Sequence, residues 1–299
     1  MAPLYEKALI VGATSGIGEA LAAKLLAEGT SVVVTGRRRE RLDAFLAAHP
    51  PPLSPSPSAA TAAAMPLDVT QLGALPTFAA AVAAAHPDLD CVVFNAGIQR
   101  AFDFGRGGVD LGAFGEELTT NYVAVVHLVT ALLPHLRRVA GAAGKAHLVL
   151  VGASLGLVPT LVRTPGYNAS KAALHSWATA LRQQLRDAGA RVRVVEVFPP
   201  AVQTELHDER HQPDLVGGAA IGMPLAAFTE RLYAGLAAGA DQFAVGPAEP
   251  WLADGGFEAE RARLFATGQE ALKVALAPYI RKEDVRNGEW GGGSQDGTE

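Results

Sequence analysis

The stretch Ala8-Leu9-Ile10-Val11-Gly12-Ala13-Thr14-Ser15-Gly16-Ile17-Gly18 constrains the fold more than any other. Four apolar residues in a row read as a buried strand. Ile17, Leu21 and Leu25 then recur every four residues, so a helix opens within the glycines and ends near Gly29. Glycines at 12, 16 and 18 permit a tight turn and close backbone approach. The helix start offers free N–H groups and the positive end of its dipole to a pyrophosphate. The spacing is G-x-x-x-G-x-G rather than the commoner G-x-G-x-x-G. A glycine-rich loop is often a plain helix cap, but a strand before it and an amphipathic helix after it favour a dinucleotide site.

The same alternation continues along the chain. Strands are expected at 31–35, 65–69, 89–95, 146–152 and 192–198, with helices at 40–48, 75–85, 114–139 and 165–188 between them. Strands alternating with helices mean βαβ units. The expected class is therefore α/β: a doubly wound parallel sheet of Rossmann type, three layers deep, with helices on both faces. Residues 1–250 form one such domain in this reading. The stretch 49–66, with six prolines (Pro50, Pro51, Pro52, Pro55, Pro57, Pro66), is expected to be an exposed, disordered insertion. Residues 200–224 would cover the substrate. Residues 224–238 read as a helix and 242–245 as a last short strand. Residues 251–299 read as a helical extension, 257–280, ending in a disordered Gly-rich tail, 287–299.

A chain of 299 residues with 49% hydrophobic and 18% charged residues can bury a large core, and its net charge of −5 is mild. No Lys/Arg stripe marks a nucleic-acid surface, since Arg37-Arg38-Arg39 is too local. The single cysteine, Cys91, excludes an internal disulfide and sits in an apolar run, as a small buried hydrophobe would. No signal-peptide pattern opens the sequence, and the apolar run 123–133 contains His127 and stops at Pro134. The expectation is a soluble, cytoplasmic protein without membrane or nucleic-acid partners.

Tyr167-Asn168-Ala169-Ser170-Lys171 lies in the expected helix 165–188. Positions four apart share a helix face, so phenol and ammonium become neighbours. A lysine charge beside a phenol favours the phenolate and is expected to lower its pKa toward the range where proton transfer at neutral pH works best. Taken alone, such a pair more often marks a half-buried ring beside a solvated charge.

After the second strand stands Thr35-Gly36-Arg37-Arg38, where an acid would otherwise hold the adenosine ribose of NAD. A guanidinium pairs with a 2′-phosphate that a carboxylate would repel. NADP(H) is expected over NAD(H); the plainer alternative is that both arginines only start the next helix in solvent.

With the glycine loop, Asn95-Ala96-Gly97, Ser154 and Tyr167-x-x-x-Lys171 in this order, residues 6–250 resemble the short-chain dehydrogenase/reductase family. Pro199-Pro200-Ala201-Val202-x-Thr204 resembles the DltE-like oxidoreductases within it. The resemblance implies Tyr167 as proton donor and acceptor, and Lys171 as the group that lowers its pKa and binds the nicotinamide ribose. It implies Ser154 as the group holding the substrate oxygen, and Asn121 as anchor of a water leading from the lysine to solvent. Gly12, Thr14, Ser15, Gly16, Ile17 and Gly18 would carry the pyrophosphate. Arg37 and Arg38 would hold the 2′-phosphate, Asp68 and Val69 the adenine. Asn95, Ala96 and Gly97 would let the cofactor lie against the sheet edge, and Pro199, Val202 and Thr204 would meet the carboxamide. The family also implies a homo-oligomer, a dimer or tetramer. Two departures stand out: Pro200 where a glycine is usual, and Ser15 where some NADP-preferring members carry a basic residue.

His207-Asp208-Glu209-Arg210-His211 puts two histidines four apart, as in half a zinc motif, but a solvated segment covering the substrate is the preferred reading and no metal is expected. His127, His135, His147 and His175 are scattered and receive no role. The substrate, a small carbonyl or alcohol, would meet Ile98, Gln99, Leu155, Leu161 and residues 200–224, whose composition suggests an apolar pocket without a charge partner. The competing reading is a cofactor-binding sensor on the same fold, against which an intact Ser154, Tyr167 and Lys171 argue.

Overall fold

The computed structural model describes residues 3–51 and 59–280. Its strands are β1 Lys7–Val11, β2 Ser31–Gly36, β3 Ala62–Pro66, β4 Cys91–Phe94, β5 Ala146–Val151, β6 Val192–Phe198 and β7 Gln242–Ala244. All pair in parallel, in the order β3-β2-β1-β4-β5-β6-β7. Sequence order reverses between β1 and β4, and Val11 pairs with both Thr35 and Phe94 there. Open α/β sheets bind ligands at such a switch point, beyond the carboxyl ends of the strands.

The helices are α1 Gly16–Ala27, α2 Arg39–Ala48, α3 Leu75–Ala85, α4 Leu111–Leu118, α5 Ala124–Ala143, the short α6 Ser154–Leu157, α7 Pro165–Asp187, α8 Leu225–Ala238, the short α9 Glu249–Leu252 and α10 Phe257–Leu276. Successive strand side chains point to opposite faces, and two cores result. Leu9, Val11 and Val33 face α3, α5 and α7 through Leu75, Leu128 and Leu174; Ala8, Ile10 and Val32 face α1, α2 and α8 through Leu21, Leu42 and Phe228. Cys91 is fully buried in the second core. The run Leu111–Ala143 is long and apolar enough to cross a membrane by composition alone, but half of its apolar window is buried against the rest of the fold.

Two expectations are corrected here. The third strand is Ala62–Pro66 rather than 65–69, pairing Val32 with Ala62 and Gly36 with Pro66, so the insertion read as 49–66 is shorter than expected. Pro66 is tolerated because it ends an edge strand. The helix expected at 114–139 is two helices joined by a π-helical turn, Thr119–Val123. Prolines 52, 55 and 57 of the insertion, and the tail 287–299, lie outside the described residues.

Two compact units divide the described residues, one ending at Glu249 and one beginning at Pro250. In the second, the Trp251 and Phe257 rings pack 5.7 Å apart, and α10 carries the pairs Glu258–Arg261 and Glu260–Arg263 one turn apart.

Candidate active site

The carboxyl ends of β1, β2, β4, β5 and β6 surround one cavity of about 910 Å³, at the upper end for small-molecule sites. The glycine loop forms one wall. Gly12 has φ +89°, and a Cβ there would lie 2.5 Å from the backbone nitrogen of Ala96; one on Gly18 would lie 2.1 Å from the carbonyl of Gly12. Asn95 locks the same loop, its Nδ2 donating to the Gly12 carbonyl at 2.7 Å. Ser15 precedes α1 without capping it, and its hydroxyl instead accepts from Arg38 at 2.7 Å. The first-turn N–H groups of α1 are thus left for an anion. A loop that glycines alone can close, ending on an uncapped helix start, fits a pyrophosphate.

Arg38 spreads its fork over Thr14 at 3.0–3.1 Å, Ser15, and Glu205 at 2.6 Å. Arg37 is exposed on the cavity rim, with no hydrogen-bond or ion-pair partner among the described residues.

The opposite wall comes from α6 and α7. Ser154, whose N–H donates to the Pro199 carbonyl at 3.2 Å, opens α6. Tyr167 and Lys171 lie one turn apart on α7, the ammonium 5.6 Å from the ring centroid, 8% and 4% exposed, and both line the cavity with Ser154. Lys171 Nζ donates to the Val151 carbonyl at 2.7 Å, leaving its other two protons for further acceptors.

The expected pKa relation does not hold within the protein. Burial pushes the Tyr167 phenol well above its ordinary value, and Glu117 pushes the same way. Burial also pulls Lys171 down to about 8, against the pull of Glu196. Desolvation is the dominant effect on both groups, and the ammonium is already engaged by a carbonyl.

Of the residues expected to bind or react, Gly12, Thr14, Ser15, Gly16, Ile17, Arg37, Arg38, Val69, Asn95, Ala96, Gly97, Ser154, Tyr167, Lys171, Pro199, Val202 and Thr204 all line the cavity. Gly18 packs beneath the loop, and Asp68 turns back to Thr70, accepting from its N–H at 3.0 Å and its hydroxyl at 2.8 Å. Asn121, fully buried in the π turn, clamps the loop after β4. Its side chain accepts from Ile98 N–H and donates to Ile98 C=O, both at 2.9 Å, and donates to Ser170 at 3.0 Å. Both protons of its side-chain amide and one lone pair of its oxygen are thus engaged by protein groups.

Ile98, Gln99, Leu155 and Leu161 line the substrate end. The lining is more polar than the apolar pocket expected. Gln212 Nε2 donates to Gln99 at 2.9 Å and to the Leu206 carbonyl at 3.0 Å, and lies 3.3 Å from His207 Nδ1. Arg163 donates to Gln212 and Asp214. His207 ends a 3-10 turn, Glu205–His207, so it does not share a helix face with His211, and no cluster of three metal-ligating acids, histidines or cysteines occurs among the described residues. The sequence reading also missed His175 and Glu196, which meet at 2.8 Å, fully buried, one turn beyond Lys171. The only signal was the i+4 spacing of Tyr167, Lys171 and His175.

A sheet with this switch point, a glycine loop and a Ser-Tyr-Lys wall together define a nucleotide-binding dehydrogenase site. The short chain dehydrogenase family model matches residues 6–214, and the chain belongs to that family of oxidoreductases. The uncharacterized oxidoreductase DltE of Bacillus subtilis is 37% identical over 201 residues, 67% of this chain and 73% of that protein. Oxidoreductase asL5 of Sarocladium schorii is 33% identical over 211 residues, 68% and 75% of the two chains. The DltE likeness carried by the Pro199-Pro200 segment is thus borne out. Among solved structures, a short-chain dehydrogenase from Streptomyces avermitilis superposes with TM-score 0.65 at 23% identity, covering 96% of this chain and 100% of that one. One from Burkholderia cenocepacia in complex with NADP gives 0.63 at 23%, covering 92% and 99%. At that identity the likeness establishes the fold.

Proposed function

We propose that this oxidoreductase is an NADP(H)-dependent carbonyl reductase or alcohol dehydrogenase with Tyr167 as its acid and base. The observation that carries the reading is that Tyr167, Lys171 and Ser154 converge on the cavity that the glycine loop closes. When bound, the dinucleotide supplies or accepts the hydride. Ser154 holds the substrate oxygen and steadies charge developing there. Tyr167 delivers a proton to that oxygen in reduction. At neutral pH the phenol is protonated, the form that reduction consumes. Lys171 holds a ribose with its remaining protons.

The preference for NADP(H) rests on Arg37 and Arg38 at the end of β2, supported by the NADP complexes among the structural relatives. Gln99, Gln212 and His207 would orient a polar group of the substrate, and Leu155 and Leu161 its apolar part. A homo-oligomer and a cytoplasmic location belong to the same proposal; sedimentation and fractionation test them. The test of the function is a screen of aldehydes and ketones followed by NADPH absorbance, with NADH as control. Consumption of NADPH by at least one carbonyl class supports the reading. Coenzyme binding without turnover across the screen would favour a sensor.

A further inference from the structure

Glu117 stands in the last turn of α4, facing α7. Its side chain is fully buried, and neither carboxyl oxygen has a hydrogen-bond partner among the described residues. A lone buried carboxyl is costly and demands an explanation. Its place is specific: a Cβ added to Gly166 would lie 2.7 Å from Glu117 Oε1 and 3.1 Å from the Phe114 ring. Gly166 thus admits α4 onto the turn that carries Tyr167. Phe102 and Phe104 pack edge-on against Phe114, at 5.4 and 5.9 Å, extending this apolar cluster.

The charged and titratable groups around Glu117 are few. From the loop after β4 comes Arg100, whose guanidinium is tied to Glu116 at 2.7 Å and to the Ala113 carbonyl at 2.9 Å, and whose backbone N–H faces Glu117 without hydrogen-bond geometry. From α7 comes Tyr167. The π turn presents only Tyr122, whose ring packs on Trp177 at 6.4 Å.

We infer that Glu117 is a positioning residue for the proton transfer, its buried carboxyl setting the charge that the Tyr167 phenol faces. The catalytic part of this inference rests on the reading of Tyr167 as acid and base. Burial pushes Glu117 up to about 7, against the opposing influence of Arg100. Below neutral pH the carboxyl is neutral and leaves the phenol undisturbed. Above it, the carboxylate opposes a second negative charge nearby and makes the phenolate rarer. The phenolate is the base that alcohol oxidation needs, so the carboxylate would hold oxidation back as the medium turns alkaline while leaving reduction its acid.

The test is the pH–rate profile of alcohol oxidation between about pH 6 and 9 in the wild type and in Glu117→Gln, with NADP+ affinity measured beside it. Removing the charge should make oxidation at pH 8 about 10-fold faster and leave the rate at pH 6 and the affinity unchanged. Should Glu117→Gln fail to fold, Glu117→Leu, which removes the charge and the need for a partner together, gives the same readout. A profile with the wild-type shape in the folded variant overturns the inference. Turnover that survives Tyr167→Phe would instead overturn the acid–base reading, so the two failures are distinct.

Discussion

Arg38 donates to Glu205 at 2.6 Å, tying the end of β2 to the turn after β6 on the rim of the dinucleotide cavity. A 2′-phosphate seated by Arg38 would have to compete with this carboxylate. Both partners are about 30% exposed at 27% and 31%, so the pair itself is worth little more than ~1 kcal/mol. Glu205→Gln is expected to tighten NADPH binding by roughly 3- to 10-fold with less effect on NADH, more at low salt than at high. Fluorescence titration of both coenzymes measures this.

Among the described residues Arg37 has no hydrogen-bond or ion-pair partner to give up. Arg37→Asp is expected to lower the ratio of kcat/KM for NADPH over NADH by roughly 10- to 100-fold, the worth of charge-assisted bonds to a phosphate plus a new repulsion. An unchanged ratio would assign selectivity to Arg38 alone.

Folding stability should depend on pH through two buried groups. Glu117 has a folded pKa of about 7, above the carboxylate's ordinary 4.5, so its cost is absent in acid, grows as pH rises from about 4.5 and is complete just past 7. Burial, then Lys145 and Arg193, pull His147 from 6.5 down to about 4. The neutral folded imidazole therefore costs stability as pH falls from about 6.5 toward 4. Each contributes on the order of 2 kcal/mol at its limit. The two costs run in opposite directions between about pH 4.5 and 6.5 and nearly cancel, so together they leave the melting temperature of the wild type almost flat there. Glu117→Gln should uncover the His147 limb: a melting temperature that rises with pH from about 4 to 6.5 and is level above.

The frame of the molecule was legible because β1, β2 and β5 carry unbroken Val/Ile/Leu runs and because α1 and α7 carry clean helical spacing. β3 was displaced by three residues since Ala62-Ala63-Ala64 has little strand preference of its own and is held by its pairing with Val32, Val33 and Val34. The π turn around Asn121 leaves no trace, because one wider turn does not visibly break the apolar spacing of 114–139. Glu117 in a helix reads as a solvent-facing acid; only the approach allowed by Gly166 buries it. Glu196 was equally hidden, since a strand's acid meets His175 only once α7 lies across the sheet.

Glu196 raises Lys171 against the burial that pulls it to about 8. Glu196→Gln is expected to shift the limb of the pH profile that reports the ammonium downward by about one unit. Activity at pH 8 should fall about 5-fold and return at lower pH. Paired profiles of the wild type and the variant, on one substrate, check the sign. A profile that loses height without moving would make the His175–Glu196 pair purely structural.

The most direct measurement is the single-turnover rate of Tyr167→Phe beside its NADPH affinity, on a carbonyl substrate the wild type reduces. The account predicts an unchanged dissociation constant and a hydride-transfer rate lower by about a thousandfold. A rate within a few-fold of the wild type, with NADPH bound as tightly, would contradict it.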